Sequence, residues 1–276
     1  MYMGGRRKTH TPTLASQADK HDLYEKAVQC SEFEIDWVEA RFRALRNRPL
    51  RKLREDFCGT ANAACEHVKR HPENTATGVD LDSKVLRWGR DNHVAALPAD
   101  AQARIKLAQQ DVKVEKTPDM DAVLAMNFSY WVFDTRDALR EYFKAAYDNL
   151  ADDGILFVDA FGGYEAFNDD QEEETEYDDF TYVWYLKRFN PVNNRCHYQI
   201  IFRFNDGSEI NPAFEYVWRH WTLPEIRELL EEAGFKAVTV YMQGWDDEED
   251  QPSNEFEPCE DADADAGWVA YLTAEK

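Results

Sequence analysis

The chain has 276 residues, of which 54 are acidic and 32 basic, and its formal net charge at pH 7 is −22. A protein this acidic repels phosphates and anionic lipid headgroups, so the composition argues against nucleic acid or a membrane surface as the main partner. Five scattered cysteines without a CxxC pair, and no apolar run of about 18 residues, favour a reduced, cytoplasmic protein without a membrane span.

The first 20 residues are basic and polar, and we predict a disordered tail there, followed by a single domain over residues 21–276. Ser31 and Glu34 have the spacing of a capping box, and apolar residues at helical spacing follow them. Residues 21–48 are therefore predicted to be an N-terminal helical segment.

Between residues 51 and 161, short apolar runs alternate with helical patterns. Strands are predicted over residues 52–57, 75–80, 104–109, 121–127 and 154–161. This alternation is typical of βαβ units around a mostly parallel sheet that is buried on both faces. The first strand, RKLREDF, is unusually polar for such a position.

The pattern changes after Gly163. Three runs rich in aromatic and β-branched residues, separated by turn sequences, predict an antiparallel β-meander inserted at residues 177–221. A capped helix and two strands follow. The two strands are separated by an acidic loop over residues 244–266, which is either solvated or a lid that favours cationic ligands. The fold class predicted is α/β: a doubly wound, mostly parallel sheet with an inserted antiparallel β-meander.

Chemistry-bearing residues follow each of the first four predicted strands. The run from Glu55 to Ala61 (EDFCGTA) is a small turn that lets a ligand approach the backbone and the N-terminus of the next helix. Asp80 ends the second strand, where a carboxylate can bind both hydroxyls of a ribose. Asp111 follows the third strand and can bind an adenine amino group, and Asn127 ends the fourth. Open α/β sheets bind ligands at this edge.

This order of residues resembles the class I S-adenosylmethionine-dependent methyltransferases over residues 50–165 and 220–275. Their first motif commonly runs acidic residue, two residues, Cys or Gly, Gly, Thr, Gly; here Phe57 replaces the usual first glycine of the loop and Ala61 the last. The resemblance implies S-adenosylmethionine as the cofactor and a seven-stranded sheet whose last strand is antiparallel. The cofactor-binding residues it implies are Tyr24, Glu55, Cys58, Gly59, Thr60, Ala61, Asp80, Leu81, Asp111, Val112 and Asn127.

The resemblance also implies a role for several of these residues. Gly59 would pass under the methionine part of the cofactor, with Glu55 near its amino group. Asp80 would bind the ribose, Asp111 and Val112 the adenine. Residues 21–48 would form an N-terminal helical lid that brings Tyr24 over the cofactor.

The implied reaction is methyl transfer to a nitrogen or oxygen of a small molecule. Aromatic walls can hold a cationic or apolar acceptor, and the predicted substrate-binding residues are Tyr130, Trp131, Tyr182, Trp184 and Trp218. A general base is needed only if the nucleophile must lose a proton, and His220 and Tyr130 are the candidates. The aromatic residues of the meander could instead only pack their sheet or form a homodimer interface; both interpretations stay open.

Other functions fit the sequence less well. A nicotinamide dehydrogenase needs a GxGxxG turn, which the residues from Cys58 to Ala61 do not supply. A non-catalytic S-adenosylmethionine-binding module that regulates a partner protein is the alternative that stays open. No metal site is predicted, because His67 and His71 lack a third ligand and are better explained as a solvated helix face.

Overall fold

The computed structural model describes residues 12–246 and 251–276. The helices are α1 (Leu14–Gln17), α2 (Lys20–Ala27), α3 (Ser31–Arg46), α4 (Asn62–Arg70), α5 (Ser83–Asn92), α6 (Ala99–Gln102), α7 (Arg136–Asn149) and α8 (Leu223–Ala233). The strands are β1 (Lys52–Asp56), β2 (Thr75–Asp80), β3 (Ile105–Gln109), β4 (Met120–Ala125), β5 (Leu150–Gly162), β6 (Gln171–Glu176), β7 (Phe180–Asn190), β8 (Arg195–Phe204), β9 (Glu209–Arg219), β10 (Ala237–Asp246), β11 (Gln251–Pro258) and β12 (Trp268–Glu275). None of the helices in these two ranges is long and apolar enough to cross a membrane.

The described chain divides into two compact units. The larger unit, which we call the sheet unit, covers residues 30–168, 190–195, 218–246 and 251–276. Its described strands form an eight-stranded sheet in the order β11-β10-β12-β5-β4-β1-β2-β3. Strands β1 to β5 pair in parallel, and β12 is antiparallel to both β5 and β10.

The predicted fold class is confirmed, including the antiparallel last strand. The sheet has an eighth strand because β11 pairs antiparallel with β10 at the edge. This strand lies inside the segment 244–266, so the prediction of an acidic loop was wrong there. Phe256 of β11 is buried and its ring stacks on that of Tyr271. This apolar contact is not apparent from the acidic sequence around Phe256.

Helix α3 is a core helix of the sheet unit. Ile35, Val38 and Phe42 are fully buried in one cluster with residues of the sheet. The predicted capping box is absent: Cys30 is the N-cap residue and makes no side-chain cap hydrogen bond. Glu34 instead accepts a hydrogen bond from the Asn127 side chain. Residues 31–46 are therefore part of the core of the sheet unit, and the lid role of residues 21–48 stays a prediction.

The polar sequence of β1 has a structural explanation. The fully buried Arg54 guanidinium donates to Asp56 Oδ1 at 2.6 Å, Val112 O at 2.6 Å and Glu115 O at 2.8 Å. It also donates to Thr117 Oγ1 at 2.9 Å. A buried charge is stable only when it is paired and hydrogen-bonded, so Arg54 ties β1 to the segment that follows Asp111.

The histidines of α4 and of the turn after it have different surroundings. His67 is fully buried, with Nδ1 3.0 Å from Glu39 Oε1 and Nε2 3.3 Å from Arg51 O. His71 is half-buried and lies after the helix ends. The interpretation of this pair as a solvated helix face was wrong for His67, because α4 turns that residue towards α3.

The smaller unit, which we call the meander unit, covers residues 12–29, 169–189 and 196–217 of the described chain. The strands described there form an antiparallel sheet in the order β6-β7-β8-β9, which confirms the predicted meander. Strand β6 precedes it in the acidic stretch and is exposed along its whole length. Leu23 of α2 packs in the core of this unit with Phe180, Ile200 and Phe202.

The structure describes only residues 12–20 of the predicted disordered tail. Residues 1–11 lie outside the described residues, whereas Leu14–Gln17 form α1. The Leu14 N–H donates to Asp206 Oδ2 at 2.9 Å and the Ala15 N–H to Ser208 Oγ at 3.0 Å. Tertiary hydrogen bonds therefore order the second half of this segment, and no local pattern in the sequence indicates them. Residues 247–250 of the predicted acidic loop also lie outside the described part.

Candidate functional site

The loop between β1 and α4 has an unusual backbone. Phe57, Gly59 and Ala61 have φ values of +56°, +52° and +59°. The left-handed conformation costs an L-residue about 1 kcal/mol, and only glycine adopts it freely. Phe57 and Ala61, which depart from the glycines of the family motif, thus keep the conformation that glycines would adopt. Such strain in a loop is typical of functional sites.

The same loop is bonded to the end of β2. The Gly59 N–H donates to Asp80 Oδ2 at 2.9 Å, and the Cys58 N–H donates to Val79 O at 3.0 Å. Asp80 Oδ1 accepts from the Asp82 N–H at 2.8 Å. Each oxygen of the Asp80 carboxylate therefore keeps a lone pair for a further donor. A Cβ added to Gly59 would meet nothing within 4 Å, so there is open space beside Gly59.

Two further glycines let neighbouring elements approach the loop. A Cβ on Gly89 of α5 would lie 2.2 Å from Thr60 O, and one on Gly78 of β2 would lie 2.8 Å from Cys58 Sγ. Both distances are shorter than any ordinary contact. Close packing therefore holds the loop from two sides, and Cys58, Thr60 and their neighbours are rigidly placed.

Phe57 does not fill the space beside Gly59. Its ring lies 5.5 Å from that of Tyr142 and 6.0 Å from that of Phe133. The side chain packs beside α7, while the backbone continues into the loop. The bulky replacement in the motif is thereby accommodated away from the open side of Gly59.

Three buried carboxylates lie at the carboxyl edge of the central strands. Glu55 accepts from the Ala64 N–H at 2.8 Å, and burial raises its pKa to about 8. Asp159 accepts from the N–H groups of Asn127 at 2.7 Å and Phe128 at 2.8 Å, and burial raises its pKa to about 8. Glu34, 7% exposed, accepts from the Asn127 side chain, and burial raises its pKa to about 7.

These carboxylates are close enough to influence one another. The charge of Glu34 raises the pKa of both Glu55 and Asp159. Their hydrogen-bond donors named above are neutral backbone and amide groups, so ionisation makes this region negative. The sequence pattern did not identify Glu34 as a site residue, because its spacing from Ser31 indicated a helix cap. Its burial depends on how α3 packs against Asn127, which only the fold decides.

The loops after β2 and β3 lie side by side. The Gln110 N–H donates to Asp80 O at 3.0 Å, which brings Asp111 next to Asp80 along the edge. Asp111 is half-buried and Val112 is buried, while Leu81 is 68% exposed. The structure therefore brings together the predicted ribose and adenine residues of the sheet unit.

Tyr130 is a poor candidate for a catalytic base. The side chain is fully buried, and its hydroxyl donates to Asp159 O at 2.7 Å. Burial raises the pKa of Tyr130 well above its usual range, so the hydroxyl stays protonated. The geometry supports a structural hydrogen bond between the β4–α7 segment and β5, rather than the predicted catalytic role.

His220 belongs to a group of packed rings at the ends of β4, β5 and β9, which we call the aromatic cluster. Its ring centroid lies 4.7 Å from that of Trp131, 4.7 Å from Phe167 and 5.5 Å from Phe161. The members are Phe128, Trp131, Phe161, Phe167, Trp218 and His220. Burial lowers the pKa of His220 to about 4, so the imidazole is neutral at pH 7 and is a weak base.

The remaining predicted site residues lie in the meander unit. The Tyr24 ring packs 5.0 Å from Phe214, and Trp184 stacks 4.6 Å from Tyr198. Tyr182 lies 6.2 Å from Phe202, and burial raises the pKa of Tyr182. Within their own unit these residues pack the sheet. Their roles towards cofactor and substrate stay predictions.

No known family model matches the sequence, and no characterised protein matches it at the sequence level. Solved structures of similar fold are found. A methyltransferase named CcbJ from Streptomyces caelestis aligns with a TM-score of 0.66 at 15% identity, covering 91% of this chain and 98% of its own. CalS10 from Micromonospora echinaspora gives 0.63 at 18%, with 93% and 96% covered. An S-adenosylmethionine-dependent methyltransferase from Clostridium acetobutylicum gives 0.64 at 16%, with 91% and 96% covered. The chain has the class I methyltransferase fold.

Proposed function

We propose that the protein is an S-adenosylmethionine-dependent methyltransferase that acts on a nitrogen or oxygen nucleophile of a small molecule. The observation that carries this proposal is the pairing of the Gly59 N–H with Asp80 Oδ2 at 2.9 Å, beside open space. By the family resemblance, this pairing would lie where the nucleoside of the cofactor meets the first loop of the sheet. Structures of similar fold include complexes with S-adenosylmethionine.

The residues of the sheet unit fit such a cofactor chemically. Asp80 has free lone pairs for ribose hydroxyls, and Asp111 with Val112 adjoins it for the adenine. The buried carboxyl groups of Glu34 and Glu55 suit the cationic methionine end, because a bound cation would favour their ionised forms where water is excluded. Bound S-adenosylmethionine would supply an electrophilic methyl carbon. The part of the protein would be to align the nucleophile and exclude water.

An amine is the nucleophile that the surroundings favour. CalS10 is described as an amino pentose methyltransferase and another structure of similar fold, KedS8, as a sugar N-methyltransferase. The strongly negative chain attracts ammonium groups over long range. An ammonium acceptor must lose a proton before transfer, and Glu34, held by Asn127, is a better proton acceptor than His220 or Tyr130. A homodimer stays a prediction.

The test is calorimetric titration of the purified chain with S-adenosylmethionine and S-adenosylhomocysteine. Both should bind the wild type. Asp80→Asn keeps an oxygen for the Gly59 N–H but loses the charge, so we expect affinity to fall about tenfold or more. Asp91→Asn, at an exposed position on α5, is the matched control and should bind like the wild type.

The outcomes separate the two functions that the sequence left open. Failure of the wild type to bind either compound would contradict the proposal. Binding without methyl transfer to any of a panel of amines and hydroxyl compounds would instead support the non-catalytic module.

A further inference from the structure

A buried nitrogen of the aromatic cluster lacks a partner. His220 is 2% exposed, and its Nδ1 has no hydrogen bond to any described group. Its backbone N–H, by contrast, donates to Asn194 O at 2.8 Å. An unpaired polar atom in an apolar setting destabilises the folded protein. Buried polar groups in native proteins are otherwise nearly always paired, so such an atom requires an explanation.

The surroundings of His67, a buried structural histidine, differ from those of His220. His67 is as deeply buried as His220, yet Nδ1 meets Glu39 Oε1 at 3.0 Å and Nε2 meets Arg51 O at 3.3 Å. Each ring nitrogen of His67 therefore has a protein group within hydrogen-bond distance. His220 differs from His67 in that its Nδ1 has no partner among the described residues, so this nitrogen is available to pair with a bound group.

The surroundings of His220 restrict what that group can be. Its ring neighbours are Trp131 at 4.7 Å, Phe167 at 4.7 Å and Phe161 at 5.5 Å, all apolar on their faces. The one charged group that acts on His220, among those described, is Glu225, and it is already paired with Arg219 at 2.9 Å. A charged ligand group would therefore lose its hydration here without a free opposite charge to compensate it. A neutral imidazole has one donor and one acceptor nitrogen, and a hydroxyl can pair with either. A hydroxyl on an uncharged ring meets all of these conditions.

The aromatic cluster also lies at the carboxyl edge of the sheet, where the proposed cofactor site is. Phe128 follows Asn127 at the tip of β4, and Phe161 lies near the end of β5. The side chain of Phe167 is 37% exposed, so the cluster reaches the surface of the sheet unit. An acceptor bound here would have its reacting group at the edge that also holds Glu34.

We propose that the aromatic cluster is the acceptor-binding site, and that His220 Nδ1 hydrogen-bonds a hydroxyl group on an uncharged ring of the acceptor. This inference rests on the proposed methyltransferase function. It makes His220 a specificity-determining residue and not the general base. The acceptor class is then an amine that carries a hydroxylated ring.

Phenol and fluorobenzene are the probes, because they share one ring and differ in the hydroxyl. Imidazole nitrogen resonances are followed by NMR while each probe is titrated, with and without saturating S-adenosylhomocysteine. The His220 signals are assigned by their loss in His220→Phe, and His67 is the internal reference. We expect phenol to shift His220 Nδ1 and to bind at least fivefold more tightly than fluorobenzene. The His67 signals should not move.

Variants separate recognition from structure. His220→Phe keeps an aromatic ring and removes the unpaired nitrogen, so its Tm should match or exceed that of the wild type while the preference for phenol disappears. His220→Asn supplies a hydrogen-bonding amide and should retain part of the preference. His67→Phe, the matched control, loses paired groups and should lower Tm.

Equal binding of the two probes by the wild type, or no binding, would overturn the site. A fall in Tm for His220→Phe as large as that for His67→Phe would do the same, because it would assign His220 a structural partner. Binding of S-adenosylhomocysteine is read in the same samples. The site can therefore fail while the cofactor binds, and failure of the cofactor to bind counts against the proposed function alone.

Discussion

The two halves of the sheet's carboxyl edge are built in different ways. The proposed cofactor half, formed by the loops after β1, β2 and β3, depends on backbone conformation and on hydrogen bonds between neighbouring loops, such as Gly59 N–H to Asp80. The proposed acceptor half, after β4 and β5, depends on buried side chains distant in sequence, such as Glu34 with Asn127. We therefore expect local backbone geometry to hold the proposed cofactor and tertiary packing to hold the proposed acceptor.

The largest effect should come from breaking the support beneath the cofactor half. Arg54→Met leaves the Asp56 carboxylate buried without its cation, which typically costs about 3–5 kcal/mol. We expect this loss in the free energy of urea unfolding, with weaker binding of S-adenosylhomocysteine because Val112 O loses its donor. Adding Asp56→Asn should recover part of the stability. Equal stability of Arg54→Met and the wild type would show that the buried pair is not essential.

A smaller effect should come from forcing α5 away from the loop. The new Cβ of Gly89→Ala would overlap Thr60 O, and overpacking of this kind costs about 1–3 kcal/mol. S-adenosylhomocysteine affinity should fall by more than tenfold, measured by calorimetry. Gly267→Ala is the control, since its Cβ would meet nothing within 4 Å and its φ is ordinary. Unchanged affinity in Gly89→Ala would mean that the loop does not need its rigid placement.

The acceptor half can be tested through pH. When the pKa of a carboxyl group is raised in the folded state, the unfolded chain releases the proton more readily than the folded one. The protein therefore loses stability as pH rises from the unfolded pKa of that group to its folded pKa. For Glu34 this window runs from 4.5 to about 7, and for Glu55 from 4.5 to about 8. The free protein should therefore be less stable at pH 8 than at pH 5, by on the order of 1–3 kcal/mol for Glu34 alone.

Urea unfolding at pH 5, 6.5 and 8 measures this slope. Glu34→Gln should make the slope shallower and raise stability at pH 8, because the amide keeps the shape of the side chain without a charge. Glu55 and Asp159 should supply the slope that remains. Glu32→Gln, at an exposed position on the same helix, should leave the slope as it is. A wild-type protein that gains stability up to pH 8 would contradict the uncompensated burial of Glu34.

The smallest expected change in stability concerns Gly59. Gly59→Ala puts an L-residue at φ +52° and should cost about 1 kcal/mol, without a clash. Gly207→Ala in the meander unit is matched to it, with φ +79° and nothing within 4 Å of the new Cβ. Both should lower stability alike, while only Gly59→Ala weakens S-adenosylhomocysteine binding. Equal affinity in both variants would mean that the space beside Gly59 is not used by a ligand.

The sequence alone determined the parts of this protein that depend on short-range pattern. Alternating strands and helices predicted the fold class, and the order of Gly59, Asp80, Asp111 and Asn127 predicted which loops share one edge. Parallel connectivity explains this success, because each strand must end on the same side as the last. The residues that follow those strands therefore lie at one edge of the sheet, and this does not depend on the details of side-chain packing.

Tertiary structure decided the rest. Glu34 has the spacing of a helix cap but is buried beside Asn127, and His67 has the pattern of a solvated face but is buried beside Glu39. Strand β11 forms inside an acidic run because β10 offers it an edge. In each case the local sequence allows more than one state. The free energy of burial and pairing with distant residues selects between them, and that energy exists only once the sheet has formed.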